Sequence, residues 1–202
     1  MQIANGVRLE APIPKVVDSY SGSLIILGGA KCLWDDYLKV KTLLTRYNIM
    51  CINDIGCQFK AEPIHHAVSL HRRILPSVRY MRQEKSMPEH VVTHCHRPFE
   101  GVQVVWTLEQ VGGTSGLFAT QIALALGYTR IILCGIPIDG TGHYWDPENV
   151  NDNKSTKFDD KPSLNVWSQM IEKNEFFGQR VRSMSGRTKN LLGYPTPEWL
   201  SC

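Results

Sequence analysis

The sequence contains no apolar run that approaches the ~20 residues needed to cross a lipid bilayer. It begins without a basic stretch followed by an apolar stretch, so it predicts no signal peptide and a cytoplasmic protein. The chain also lacks a large excess of charge of one sign, since its formal net charge is +3 and its basic residues are scattered. An interaction protein that binds nucleic acid through the basic residues 72–85 is therefore the least favoured hypothesis.

Several common site motifs are missing as well. The six cysteines show no C-x-x-C spacing, so the segment His94-Cys95-His96 does not predict a structural zinc site. Reduced thiols are the simplest interpretation of these cysteines. The Walker phosphate-binding loop is absent, and Gly28-Gly29 lacks the full G-x-G-x-x-G of a dinucleotide-binding turn. A P-loop NTPase and a standard NAD-binding enzyme are therefore not predicted.

The chain does have the composition and patterning of an α/β protein. With 202 residues, 43% hydrophobic and 20% charged, it is large enough to bury a core. Strand-like and helix-like segments alternate after an irregular leader at 1–22, without an internal repeat or linker. This alternation predicts one Rossmann-like domain over 1–202, a three-layer sandwich with a mostly parallel central sheet. The polar segment 139–163 predicts a long lid loop beside the site.

The predicted elements follow from the periodicity of apolar residues. The predicted strands are 23–27, 49–53, 67–70, 91–93, 102–108, 128–135 and 179–184. The predicted helices are 35–47, 117–127 and 164–177, and a turn is predicted at 185–189. Three histidines, His71, His94 and His96, fall near predicted strand ends and are candidates to face a ligand.

The most informative motif is Gly112-Gly113-Thr114-Ser115-Gly116, which leads directly into an apolar helix. Backbone N–H groups and the helix dipole favour an anion at such a helix start. Ligands of open α/β sheets bind beyond the carboxyl ends of the strands, where Gly28, Gly29 and Asn53 also fall. The glycines let the backbone approach a ligand, and Asn53 offers a donor and an acceptor to a base or ribose. The sequence therefore predicts a site for something phosphorylated.

The segment 135–146 follows a predicted strand and carries the predicted catalytic residues His143, Asp139 and Tyr144. His143 is suited to act as a general base toward an acceptor hydroxyl at neutral pH. Tyr144 can stabilise a departing phosphate by a hydrogen bond. Asp139 and Asp146 are candidate Mg²⁺ ligands, because hard cations bind carboxylate and phosphate oxygens. The alternative is a solvated turn with the histidine and aromatic rings packed at its base.

Residues 114–136 also resemble the core motif of two related groups of proteins. These are the Campylobacter-type bacterial sialyltransferases, which use CMP-sialic acid, and the MptE-like family, which includes archaeal 6-hydroxymethylpterin pyrophosphokinases. The turn at 27–33 resembles their G-N-G-P-S-L turn, and 51–53 resembles the strand whose Asn contacts the nucleotide. These matches keep their order and approximate spacing over residues 23–144.

The resemblance implies a nucleotide-dependent transferase, in the first place a glycosyltransferase-like enzyme with a nucleotide-sugar donor and an unidentified acceptor. The MptE-like alternative is a Mg²⁺-dependent pyrophosphokinase or phosphotransferase. The residues implied to bind the nucleotide are Gly28, Gly29, Asn53, Gly113, Thr114, Ser115 and Gly116.

The sequence departs from the family pattern in ways that keep another class open. Pro137 stands where an Asp follows Gly-Ile, and no histidine follows His143. A nucleotide-binding module without catalysis is therefore the second hypothesis. Since the chain has little room for an acceptor domain, the acceptor site would come from the lid loop, a second subunit or the acceptor itself. A homo-oligomer is accordingly left open.

Overall fold

The computed structural model describes residues 2–3, 6–10, 20–85, 91–108, 114–140, 142–146 and 161–201. Their strands are β1 (Gln2–Ile3), β2 (Gly6–Glu10), β3 (Ser23–Leu27), β4 (Asn48–Ile52), β5 (His66–Val68), β6 (Val92–Cys95), β7 (Val104–Thr107), β8 (Arg130–Cys134) and β9 (Val181–Ser183). Their helices are α1 (Leu33–Lys41), α2 (Ile55–Gln58), α3 (Ile74–Glu84), α4 (Ser115–Ala125), α5 (Lys161–Lys173), α6 (Glu175–Arg180), α7 (Gly186–Leu192) and α8 (Pro197–Ser201). None of the described helices is both long and apolar enough to span a bilayer.

The strands of the described residues form one sheet in the order β1-β2-β7-β6-β5-β4-β3-β8-β9. All neighbours in it are parallel except β1 and β2. The chain moves outward from β3 to β7 and then returns to place β8 against the free side of β3. The register pairs Leu27 with Cys134, so β3 and β8 end at the same level. Ligands of open α/β sheets bind at such a reversal of strand order.

Helices cover both faces of this sheet. On one face, α4 is buried from Gly116 to Ala125, and Trp167 of α5 and Phe177 of α6 belong to the same apolar cluster. Because α4 is apolar all round, it has to be buried both against the sheet and against other helices. On the other face, α1 and α3 bury residues such as Tyr37 and Val78 in a second cluster. The predicted three-layer, mostly parallel α/β fold is confirmed.

Three local predictions were wrong. The leader contains a strand, β2, because pairing with β7 from Val7↔Val104 onward gives its backbone hydrogen-bond partners. The segment 186–192 is helix α7 instead of a turn, since the backbone N–H groups of Arg187 and Thr188 donate to the Pro137 carbonyl. The single predicted helix at 164–177 is two helices, because Asn174 ends α5 and caps α6 by accepting from the Phe176 N–H. Most of the predicted lid loop, 141 and 147–160, lies outside the described residues.

Candidate functional site

A cavity of about 350 Å³ lies at the carboxyl ends of β3 and β8, where the strand order reverses. Its walls come from the turn after β3, the ends of β4 and β5, the start of α4 and the segment after β8. Eight of the predicted site residues line it: Gly28, Gly29, Asn53, Thr114, Ser115, Gly116, Asp139 and His143. His71 lines it as well. The sheet topology therefore gathers distant sequence segments around one space.

The cavity floor is a close contact between two backbone turns. The Gly28 N–H donates to the Cys134 carbonyl at 2.8 Å. A Cβ on Gly28 would lie 2.6 Å from the Gly135 oxygen, and one on Gly135 would lie 2.5 Å from the Gly28 oxygen. Gly135 also has φ +66, a left-handed conformation that favours glycine. Both glycines are therefore needed for β3 and β8 to end side by side.

A buried carboxylate that the sequence analysis missed holds this floor from behind. Asp36 of α1 accepts from the Gly135 N–H at 3.0 Å and from the Ser185 hydroxyl at 2.7 Å. Its position between Leu33 and Val40, on the buried face of α1, is the sequence signal that marks it. Asp36 thus ties α1, the end of β8 and the start of α7 together.

Cys32 adds to this cluster without being reactive. Its thiol lies 3.1 Å from the Ser185 hydroxyl, and since that hydroxyl donates to Asp36, the thiol must be the donor. Burial raises the pKa of Cys32 to about 12. The thiolate that a nucleophilic cysteine requires is therefore not formed at neutral pH.

The start of α4 presents donors to the cavity. Thr114 is the N-cap residue, and its Oγ1 accepts from the Leu117 N–H and from the Trp167 indole N–H, each at 3.3 Å. Because Oγ1 accepts both bonds, the Thr114 hydroxyl proton is left to donate to a ligand. Helix geometry leaves the N–H groups of Ser115 and Gly116 without an intrahelical acceptor. This wall can therefore hold an anion.

The opposite wall carries Asn53 and His71. Asn53 has φ +52, a left-handed conformation that Asn tolerates better than most residues. Its Oδ1 accepts from the Ser69 hydroxyl at 2.7 Å, which leaves the amide N–H groups to donate. Ser69 Oγ also accepts from the His71 N–H at 2.8 Å. Ser69, which the sequence analysis did not assign, therefore fixes both cavity residues.

The segment after β8 returns to the turn after β3 and places His143. Ala30 and His143 form an isolated antiparallel bridge, and the Tyr144 N–H donates to the Gly29 carbonyl at 3.0 Å. The His143 ring stacks on Trp145 with 4.5 Å between centroids. Asp146 Oδ2 accepts from the His143 N–H at 2.6 Å and lies 3.6 Å from Nδ1. The imidazole is therefore held in one orientation at the cavity.

Not all predicted residues reach the cavity. Tyr144 packs edge-on against Trp34 at 5.4 Å, outside the lining, and burial raises its pKa. Asp146 lies behind His143, whereas Asp139 lines the cavity, and Gly113 is outside the described residues. Within the described ranges, no three His, Cys, Asp or Glu side chains gather as a metal site. Magnesium at Asp139 and Asp146 stays a prediction.

The prediction that His94 faces the ligand was wrong. The Trp106 indole N–H donates to His94 Nδ1 at 2.9 Å, so His94 Nε2 carries the proton donated to His66 Nδ1 at 3.0 Å. His66 Nε2 then donates to the Tyr128 hydroxyl at 2.8 Å, which also accepts from Asn48 Nδ2 at 2.7 Å. Burial lowers the pKa of His66 to about 3 and that of His94 well below its usual value. This row is a neutral hydrogen-bonded chain inside the core.

His96, the third candidate, is half-buried and packs edge-on against Phe118, with 6.2 Å between the ring centroids. It is not among the residues that line the cavity. Of the three candidate histidines near strand ends, the described cavity therefore includes His71 alone.

No protein-family model matches the sequence, and no curated protein sequence matches it. Two solved structures are similar in fold. One is the sialyltransferase CST-II in complex with a trisaccharide acceptor and CMP, with a TM-score of 0.59 and 14% identity over 89% of this chain and 88% of that chain. The other is a CST-II variant in complex with CMP, with a TM-score of 0.60 and 15% identity over the same shares. The chain therefore has a sialyltransferase-like fold, while the MptE-like resemblance stays a prediction.

Proposed function

We propose that this protein is a glycosyltransferase-like enzyme that binds the nucleotide of a nucleotide-sugar donor in the 350 Å³ cavity. The observation that carries the proposal is the arrangement of three walls around that space. The start of α4 offers anion-binding donors, Asn53 offers an amide, and His143 lies on the segment after β8. CMP is the first nucleotide to test, because both similar structures hold it.

The phosphate of the nucleotide would lie at the start of α4. The N–H groups of Ser115 and Gly116, the Thr114 hydroxyl and the helix dipole all favour negative charge there. A cavity of about 350 Å³ falls within the usual size of small-molecule sites. The amide of Asn53 would then meet the ribose or the base.

His143 would act as the general base. Its imidazole accepts the proton of an acceptor hydroxyl as that oxygen bonds to the anomeric carbon of the donor sugar. The bond from that carbon to the phosphate oxygen breaks, and the nucleotide leaves with the electron pair. The donors at α4 stabilise the charge that develops on the leaving phosphate. Asp146, 3.6 Å from the ring Nδ1, keeps the imidazole oriented.

Isothermal titration with CMP, UDP, GDP and ATP, each with EDTA and with Mg²⁺, tests the nucleotide site. We expect CMP to bind in the presence of EDTA, and affinity to fall in Thr114→Val but not in Thr114→Ser. If none of the four nucleotides binds under either condition, the proposed function is wrong.

Mass spectrometry of reactions with CMP-activated sugars and oligosaccharide acceptors separates an enzyme from a binding module. CMP release with a matching gain of sugar mass on the acceptor supports transfer. Binding without either product supports the non-catalytic alternative that the departures at Pro137 and after His143 left open. Mg²⁺-dependent formation of AMP from ATP would instead support the pyrophosphokinase alternative.

A further inference from the structure

A buried arginine on the far side of the fold is not explained by the nucleotide cavity. Leu75, Val78 and Arg82 form the buried face of α3, and Arg82 is 2% exposed. The spacing of these positions directs Arg82 toward the sheet as it does the two apolar residues. A buried charge is costly unless it is paired, and burial lowers the pKa of this guanidinium.

The hydrogen bonds of Arg82 satisfy one side of its guanidinium. Nη1 donates to the Phe59 carbonyl at 3.0 Å and to the Gly56 carbonyl at 3.3 Å, both at the end of α2. Nε and Nη2 have no hydrogen-bond partner among the described residues. The acid two residues further along α3, Glu84, instead accepts from the Tyr80 hydroxyl at the surface. Arg82 is thus a half-satisfied cation in the described part of the chain.

The two unpartnered nitrogens belong to the same edge of the guanidinium. Nε and Nη2 carry N–H bonds that point the same way, a fork that matches two oxygens of one carboxylate or phosphate. Unpartnered nitrogens on different edges would not form such a pair of parallel donors. This edge is the one that arginine uses for side-on recognition of an oxyanion.

A second cavity, about 170 Å³, lies beside the Arg82 side chain. Arg79, Arg82, Gln83 and Val91 line it. Val91 immediately precedes β6, so the cavity is at the amino ends of the strands, opposite the larger one. Arg79 adds a second cation and Gln83 an amide donor. The described lining therefore has positive charge and donors but no acid.

We propose that this cavity is a second binding site, which takes an oxyanion, either a carboxylate or a phosphate group, on the Nε–Nη2 edge of Arg82. Arg79 supplies the second charge, and Gln83 supplies a further hydrogen bond. The site is independent of the proposed transferase activity. Its volume suits the charged head group of a ligand rather than a whole nucleotide.

The direct test is a side-chain NMR titration of protein labelled with ¹⁵N-arginine. The Arg82 Nε–H resonance is assigned by its loss in Arg82→Lys, then followed during additions of sodium phosphate or sodium acetate at constant ionic strength. We expect a saturable shift with at least one of them. The tighter of the two identifies the group that the site takes. A resonance that does not move with either anion overturns the proposal.

Thermal unfolding with the same anions supplies the matched controls. The wild type and Arg73→Met, which changes an exposed arginine at the start of the same helix, should be stabilised by the anion. Arg82→Met should lose that response, and Arg79→Met should weaken it. If Arg82→Met does not fold, Arg82→Lys replaces it, because it keeps the charge and lacks the fork. An equal response in Arg82→Lys and in wild type contradicts the proposal.

Two further variants test two separate questions. One asks whether the Arg82 site is independent of the larger cavity, and the other asks whether a carboxylate of this chain already occupies the Nε–Nη2 edge. Thr114→Val should keep the Arg82 shift, since the larger cavity plays no part in it. Glu89 lies in the segment 86–90, outside the described residues. If the Arg82 resonance responds to added anion in Glu89→Gln but not in the wild type, the fork is occupied by a carboxylate of this chain. That result would overturn the ligand site without affecting the proposed function.

Discussion

Histidines in two regions of this protein make opposite use of the same side chain. His143, at the cavity, keeps 31% of its side chain exposed, stacks on Trp145 and lies near one carboxylate. His66 and His94, in the core, are fully buried, and all four of their ring nitrogens have hydrogen-bond partners. The first is the proposed general base, whereas burial holds the other two neutral.

The difference shows that surroundings, rather than residue type, decide what a histidine does. A protonated imidazole needs water or a negative charge, and the core chain offers neither. The two ring nitrogens without a proton, His94 Nδ1 and His66 Nδ1, already accept hydrogen bonds, so an added proton would break one of them. The comparison can be tested by changing each region and measuring stability and activity separately.

The largest expected effect is on the core side of the comparison. His94→Leu leaves the Trp106 N–H and the His66 Nδ1 without partners in the core. Since each buried orphan group costs about 1–3 kcal/mol, we expect a loss of about 2–6 kcal/mol in unfolding free energy. Urea denaturation measures it. His94→Gln, which keeps one donor and one acceptor, is the control, and its unfolding free energy should fall by less. An equal decrease in both variants would show that the loss comes from packing and not from the hydrogen bonds.

At the cavity, we expect the opposite result: a large loss of activity with little change in stability. His143→Ala should reduce transfer by about 10²- to 10⁴-fold, the usual worth of a general base. Because the ring is partly exposed, the unfolding free energy should change by less than about 1 kcal/mol. Product formation under saturating donor measures the first and urea denaturation the second. His71→Ala, also at the cavity, should change donor affinity more than turnover. Full turnover in His143→Ala would show that His143 is not the general base.

The pH dependence of stability tests the core chain further. The folded pKa values of His66 and His94 lie below their unfolded value near 6.5, so the unfolded state binds more protons in acid. Stability is therefore complete above about pH 6.5 and is lost as pH falls toward 3. Each histidine contributes a slope of up to about 1.4 kcal/mol per pH unit within that window. His66→Gln should reduce the slope near pH 5 by about that amount, and an unchanged slope would contradict the neutral chain.

The smallest expected effect concerns Thr114, in the cavity wall formed by the start of α4. Thr114→Val removes a hydroxyl that caps α4, accepts from Trp167 and is free to donate to a ligand. The loss of about one hydrogen bond to a charged group, roughly 1.5 kcal/mol, predicts a decrease of roughly tenfold in CMP affinity. Isothermal titration measures it. Thr114→Ser is the matched control, and an equal decrease in both variants would show that the hydroxyl does not contact the ligand.

Much of the fold and part of the site could be predicted from local sequence patterns. The strand at 23–27 follows from a short apolar run, and the apolar helix predicted at 117–127 corresponds to α4, which begins earlier, at Ser115. The same reasoning placed Gly28, Asn53 and His143 at one edge, where the structure brings them together. It could not show that Tyr144 turns away from that edge, because its packing against Trp34 joins segments far apart in the chain.

By itself, the sequence determined the alternation of strands and helices and the polar turn that leads into α4, because periodicity, glycine and helix caps act over a few residues. The tertiary structure alone decided which polar groups are buried and which face the cavity. Asp36 reaches Gly135 across 99 residues, and Trp167 reaches Thr114 across 53. Contacts at such separations depend on how the sheet and its helices pack, which no local pattern encodes. The same packing buries His94 in the core and leaves His143 partly exposed at the cavity.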